Sequence, residues 1–559
     1  TNPNTNINYD FTFNWELNSL NIDITKLDEG STSADTNYYI AGVMVDGLNA
    51  EKTANLILTT NEGINVKVNS QNNYAAVGVW AQSDDSIKLN SKNGDVTVNV
   101  TKTAGSNLSY KDGGEEDRTL HAVYGLNASN DRNAASYDPN DESRGSEINI
   151  TTDNGSISVT AKNESTDLKG SHVYAAANDN GHLILSAGQG ADYTGTGSIS
   201  LKAESNGNNN VYGLDTWGGE ENRLTADEIH LSAKAESGDA YGLKVSGGAS
   251  DNQFKADYNE IIGVSERGKA YGIWADGNSR VDVTGKDNFI SGTVTENSKN
   301  GTGIMVDDSI VFIEGNNNYI NAGVDTDGNV VYLGQAEGLA VDANNASSVV
   351  VKGNASNSFG GAVYANGLDT SVIIEGKDIP VTNNFYSASV IEGAGGLDDE
   401  SEIKQVVSSL YAEAGANISV SGVNNIQTYY ADPSDDTTSE RAVWAYNGGD
   451  ITINGATNIS TTLYDESPNS MDIAIAAGTA PDLDKEDFTE EALKALDISY
   501  ANLNYENYNG AKSYIKGDIL AAYGGEVNIL PNGTNTKAVS DAGIDIYGNL
   551  LAGNNGVLN

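Results

Sequence analysis

The residues best able to do chemistry in this sequence are its acids: 78 aspartates and glutamates stand against 31 lysines and arginines and four histidines. Adjacent pairs occur at Asp84-Asp85, Asp307-Asp308, Asp398-Asp399 and Asp435-Asp436. Two carboxyl groups flanking a glycosidic bond suffice to hydrolyse it, but a chain this acidic contains such pairs by chance, and they nominate no catalytic residue. Asp46, Asp276, Asp307 and Asp342 form a more ordered set, each placed four residues after the small residue of a recurring motif. Carboxylates stacked at strand spacing repel one another. They must either splay into turns, where Asp is common, or hold a hard, oxygen-preferring cation between them. Asp276, Asp307 and Asp342 are therefore the metal candidates, and calcium the one cofactor to consider. The stretch DTDG at residues 325–328 is too short for an EF-hand loop. His121, His172, His182 and His230 show no metal-ligand spacing, and no nucleophile elbow, phosphate loop or His-Glu-x-x-His helix occurs. Cysteine is absent, which removes thiol catalysis, cysteine metal sites and disulfides.

These residues sit on an array of repeats. VYGLDTWGG, AYGLKVSGG, AYGIWADGN and GTGIMVDDS follow one another, with Gly213, Gly242, Gly272 and Gly303 spaced 29, 30 and 31 residues apart. That spacing marks a solenoid or propeller. The column of small residues traces outward through Gly42, Gly78, Gly125, Ala175, Gly338, Ala365, Ala412, Ala445, Ala476, Ala521 and Ala552. One residue earlier stand Tyr124, Tyr174, Tyr212, Tyr241, Tyr271, Tyr364, Tyr411 and Trp444. Apolar residues one and three positions later, with mixed ones between, give the period of a strand. On that alternation the tyrosines, Tyr241 and Tyr271 among them, point inward as an internal stack, and Trp444 joins the core. The small residue and the position two further on point outward.

The outward column two residues past the small position holds Trp80 and Trp274, with Met44 and Met305 beside them. An exposed Trp on a flat strand face can stack on a sugar ring or anchor a protein partner; the alternative is that a neighbouring loop covers it. Tyr429 and Tyr430, next to residues 431–440, form a second candidate surface. Adhesion candidates are thus Trp80, Trp274, Met44, Met305, Tyr429 and Tyr430.

Three strands fit into about 30 residues with no helix between them, which predicts an all-β, right-handed parallel β-helix of about 14 or 15 rungs, with loop insertions and one short helix. Residues 1–35 should form strands that cap the first rung, and 36–559 the β-helix. Polar insertions are expected near 101–119, 127–147, 387–405, 430–440 and 478–514, the last carrying a helix over residues 487–496 (DFTEEALKAL). The stretches IKGDILAAYGGEVN and IYGNLLAGNNGVLN align at a constant offset of 31, and the chain stops in the middle of a rung, as if continuing. A net charge of -47 repels phosphate backbones and anionic membranes, so nucleic acid is excluded as a partner. No run of about 18 apolar residues spans a membrane. The lack of cysteine suits a chain exported through a periplasm.

The Tyr-Gly-Leu/Ile repeats, with GDILAAYGGEVNI and GNLLAGNNGVLN, make the sequence resemble the passenger domains of bacterial autotransporters of the monomeric, type V secretion class. The resemblance covers nearly the whole chain. It implies a parallel β-helix at the cell surface, exported across the outer membrane of a diderm bacterium and followed by a translocator barrel that this sequence lacks. Adhesion to host glycans or protein receptors, self-association and biofilm formation are the roles it implies. The Gly-Asp-Ser-Gly motif of the family's proteases is absent. Two other functions suit the same sequence: a β-helical polysaccharide lyase or glycoside hydrolase, and a passive spacer stalk.

Overall fold

The computed structural model describes residues 11–26, 39–46, 53–71, 75–82, 84–103, 122–129, 145–166, 172–190, 194–218, 221–295, 301–322, 338–376, 381–387, 390–391, 406–429, 439–462, 472–478, 498–506, 512–531, 543–553 and 555–559. The chain divides into two compact units, Thr1–Gly285 and Lys286–Asn559. Each is a parallel β-helix with three strands per rung. In the first unit a typical rung runs Ala240–Ser246, Asn252–Lys255 and Tyr258–Ser265. Each strand pairs in parallel with its counterpart one rung earlier: Val211–Trp217, Glu221–Thr225 and Glu228–Ala235. In the second unit Ser439–Tyr446, Asp450–Gly455 and Thr457–Thr462 stack likewise on Val406–Glu413, Asn417–Ser421 and Val423–Tyr429. Phe11–Leu17 and Leu20–Lys26 are strands as expected, and they pair in parallel with Ala54–Thr60 and Ile64–Ser70.

Second and third strands alternate buried and half-buried residues with period two, as in Val96–Lys102 and Ile157–Asn163. Val96, Val98 and Val100 face Ile157, Val159 and Ala161 across the ladder, and all are fully buried. Each such Val or Ile contributes about 1.5–3 kcal/mol on burial before entropy is counted. The corner after the first strand repeatedly adopts left-handed backbone: Asn180, Gly247, Gly277, Asn278, Asn345 and Asn447 all have positive φ. Gly and Asn tolerate that conformation, which explains the Gly-Asn-Asp composition of the turns.

First strands break the simple alternation. Tyr212 pairs with Tyr241 and Leu214 with Leu243, but the ladder passes over Gly213 and Gly242 between them. The small position is an extra inward residue, a bulge that resets which side each later residue faces. A Cβ on Gly78 would strike Val98 Cγ1 in the core, and one on Gly242 would lie 2.8 Å from the Ile262 backbone nitrogen. The small residue therefore points inward, where there is no room, rather than flattening the outer face. The tyrosine before it turns outward, onto the same face as the residue two positions after it.

The second unit shifts the column. Gly301 pairs with Gly338 and Ile304 with Val341, so Gly303 lies opposite Ala340 and not Gly338. The short strand Ala362–Asn366 then omits the extra residue, with a register shift between Leu339 and Val341. From there the passed-over residues include Ser409, Ala442 and Ala474. Ala365, Ala412 and Ala445 stand three residues later in the repeat than their tracing by type places them, and the partner of Ala445 is Ala477, not Ala476.

The insertions differ in part. Tyr500–Tyr505, within the 478–514 interval, and Ser513–Lys516, which begins at its end, are ordinary rung strands, parallel to Asp450–Gly455 and Thr457–Thr462. Val390–Ile391, in the 387–405 interval, pairs antiparallel with Val406–Glu413. The helix at 487–496 lies outside the described residues, as do 104–119, 130–144 and 430–438.

Candidate functional site

The side chains of chemical interest gather on the outer face of the first strands. In the first unit Tyr124, Tyr174, Tyr212, Tyr241 and Tyr271 occupy successive rungs with ring centroids 4.8, 4.7, 5.0 and 5.1 Å apart and nearly parallel planes. The strand spacing sets this distance, and each stacked pair adds about 0.5–1.5 kcal/mol beyond its burial. These tyrosines are an external file, not the internal stack expected from period two, and they are nonetheless largely buried. Burial, before any nearby charge, holds the Tyr124, Tyr174, Tyr212 and Tyr241 hydroxyls well above the usual phenol range.

Beside the file runs the column Ala177, Asp215, Lys244, Trp274. Lys244 Nζ lies 5.8 Å from the Tyr212 centroid and 5.6 Å from that of Tyr241, within reach of a cation–π attraction. Trp274 meets Tyr271 edge-on at 4.6 Å, and its indole nitrogen donates to Asp276 Oδ2 at 2.8 Å. Asp215 is pushed up to about 6, first by desolvation, against the lowering pull of Lys244; its Oδ1 is buried with no hydrogen-bond partner among the described residues. His172 packs edge-on against Tyr174 and Tyr212.

Trp80 and Met44 do share one column, as their spacing indicates, and Asn127 follows them. Trp80 is half-buried and donates from its indole nitrogen to Ser129 Oγ at 2.9 Å. Met44 and Met305 are half-buried too. Sequence reasoning missed several exposed rings, Trp15, Tyr319 and Tyr386 among them, and, two positions further along its strand and 43% exposed, Trp217. Its ring leaves no space for a side chain at Gly247, where a Cβ would lie 2.8 Å from the indole nitrogen. The signal was present as a Trp before a Gly-Gly turn.

In the second unit the aromatic file moves columns. Tyr364, Tyr411 and Trp444 stack at 5.2 and 4.4 Å, but they stand two residues after the bulge position, where the first unit has Asp215, Lys244 and Trp274. Arg441, in the column of the first unit's tyrosines, covers Trp444 with its guanidinium 4.3 Å from the ring. Burial lowers Arg441 to about 10. Glu413 accepts hydrogen bonds from the Tyr364 and Tyr411 hydroxyls. Trp444 is fully buried in a cluster with Tyr411, Tyr446, Ile473, Ala476 and Leu520, so it is core as expected, but in a cluster on the outer-face columns. Tyr429 ends a rung strand, and Tyr430 lies outside the described residues.

The metal candidates do not form one column. Asp307 pairs with Asn344, and Asp342 with Met305, because tracing through Gly338 misplaced that rung by two. Asp307 accepts from Asn345 Nδ2 at 2.7 Å and Asp342 from Asn344 Nδ2 at 2.6 Å. These are turn and strand-end interactions, and the described residues hold no cluster of three ligand-type side chains. Of the paired acids, Asp85 is buried and accepts from the Ala54 backbone nitrogen at 2.7 Å, while Asp308 sits exposed at a left-handed turn. Asp398-Asp399 and Asp435-Asp436 lie outside the described residues. Comparison of the chain with protein-family profiles, curated proteins and solved structures finds no match in any of the three.

Proposed function

We propose that the chain is the adhesive passenger of a monomeric type V autotransporter, a parallel β-helix displayed outside a diderm bacterium and tethered by an outer-membrane β-barrel. It binds host cells, matrix or glycans, or a like chain on a neighbouring cell. The observation that carries this reading is that solvent-facing aromatic rings stand on flat, repeating sheet faces: Trp217 in the first unit, Tyr319 and Tyr386 in the second. Such rings supply large contact area at low entropic cost, as binding hot spots do. Polar ladders on neighbouring rungs support it further. The net charge of -47 opposes contact between like chains, so clumping should strengthen with salt as the repulsion is screened. Display of the chain on a non-adherent bacterium tests the proposal. Clumping, or binding to cells or matrix, is the expected result; a wholly inert strain would sink it.

One observation favours a second reading, a polysaccharide-degrading enzyme. Asp215 is a carboxyl held near pH 6 beside Lys244 and two tyrosines, a setting suited to proton transfer. Release of reducing ends or unsaturated products from acidic or neutral glycans, abolished by Asp215→Asn, would establish it over adhesion alone.

A further inference from the structure

Five consecutive third strands of the second unit present a face set apart from the other described strands by its lack of charge. It is built from residues 317–321, 356–360, 382–387, 423–429 and 457–462, which pair in parallel in that order. None of these residues is charged, in a chain whose net charge is -47. Their inward side is sealed by hydrophobic residues such as Ile320, Phe359, Phe385 and Ile426, all buried.

The outward side carries two kinds of group. Asn384, Asn425 and Asn458 form a half-buried amide ladder, with Asn425 Nδ2 donating to Asn384 Oδ1 and Asn458 Nδ2 to Asn425 Oδ1, both at 3.0 Å. A primary amide has two N–H donors and two acceptor lone pairs. In the middle residue, Asn425, the partners above and below use one of each, which leaves one N–H and one lone pair for a ligand, whereas Asn458 Oδ1 is buried and offers none. Flanking the ladder stand Tyr319 and Tyr386, 39% and 38% exposed. Beside Tyr386 the preceding rung supplies Gly360, which adds no side chain of its own, and the following rung Gln427.

We propose that this face is a binding platform for a neutral polysaccharide, resting on the reading of the chain as an adhesin. The chemistry selects that occupant. Phenol rings offer apolar faces with polar tips to the alternating C–H and hydroxyl surfaces of a sugar. The free amide positions pair with sugar hydroxyls, and the rung spacing of about 4.8 Å repeats the amides along one direction, as a polymer of like units requires. The lack of charge gives an anionic glycan no counter-ion, while the acidic surroundings repel it.

Native affinity electrophoresis of the purified 559-residue chain tests the proposal, with gels containing mannan, galactomannan, xyloglucan, laminarin or dextran, and parallel gels containing polygalacturonate or heparin. Retardation by at least one neutral polymer and by neither acidic one is expected. The Tyr319→Ala/Tyr386→Ala variant should weaken that retardation at least about tenfold, a difference in affinity readily resolved, with an unchanged thermal melt. Gln427→Glu, which puts a charge on the face, should weaken it as well. No retardation by any neutral polymer, or equal retardation of both variants, would overturn the proposal. So would a wild-type dimer that Tyr386→Ala converts to monomer, since a second copy would then be the occupant. Displayed cells separate this from the wider reading: adhesion that persists without neutral-glycan binding removes the platform only, whereas inert cells remove the adhesin.

Discussion

The two units fill the same corner of the β-helix with opposite chemistry. At the start of the third strand the first unit stacks Ile64, Val96, Ile157, Ile199 and Ile229, and only on the next rung does a buried Asn259 enter the file. The second stacks Asn288, Asn318, Asn357, Asn383 and Asn424, all fully buried, with each Nδ2 donating to the next Oδ1 at 2.8 to 2.9 Å and the last to Thr457 Oγ1 at 3.1 Å. Aliphatic stacking is non-directional and tolerates small misfits. An amide ladder is satisfied only when every member is present, since a buried amide without partners is costly. The outward faces of the same strands differ in parallel. In the first unit they carry Lys162 with Glu164, Lys202 with Glu204, and His230 between Glu228 and Glu260; in the second, residues 317–321, 356–360, 382–387, 423–429 and 457–462 carry no charge, and Asp287 and Lys516 stand only on the strands that flank them. The difference teaches that the fold is set by where side chains point, and that rung identity leaves each face free to specialise.

Reciprocal exchanges at the corner should break this comparison most sharply. Ile199→Asn places a lone amide in an aliphatic file and removes a buried side chain, at an expected cost of about 3–5 kcal/mol in urea unfolding. Asn357→Ala interrupts the ladder, orphaning the donor of Asn318 and the acceptor of Asn383, and should cost about 2–4 kcal/mol. Equal tolerance of both exchanges would show that the two corners are not chemically distinct.

A pH series sharpens the contrast between the outer faces. Asp215 has its folded-state value raised to about 6 from 3.8, so the native state holds a proton that the unfolded chain has released. Its contribution is stabilising at low pH and is lost as pH rises from about 4 to 6, with no further change above. Asp215→Asn should remove that part of the slope when unfolding is compared with wild type across the window; parallel curves would contradict it. The smallest effect belongs to the exposed ions. Lys202→Met should change stability by less than about 0.5 kcal/mol, as for most surface pairs, which unfolding midpoints would check.

Much of the architecture was legible in the sequence because it repeats. Three strands per rung, parallel pairing and Gly-Asn-Asp corners all follow from alternation and spacing near 30 residues. What was not legible is the bulge. Period two assumes one residue per step, and the inward extra residue at Gly213 and Gly242 reverses the side on which Tyr212 and Tyr241 stand. The same cause hid the change of column at Ala362–Asn366, where a residue is omitted and Tyr364, Tyr411 and Trp444 only imitate the earlier tyrosines. Asp342 was grouped with Asp307 for a different reason, that the small position of its rung is Ala340 and not Gly338. Trp80, Trp274 and Met44 were placed on the correct face because they follow the bulge rather than precede it. The uncharged face escaped notice because its parts lie far apart in sequence and meet only through the register of successive rungs.

Adhesion by cells displaying the chain tests the central claim most directly, with wild type compared against Trp217→Ala/Tyr319→Ala/Tyr386→Ala at equal surface amount. The account predicts clumping or binding by wild type and at least about a tenfold loss in the triple variant, in line with the share of binding that a few aromatic anchors carry. Inert wild-type cells, or a triple variant that adheres as wild type does, would contradict it.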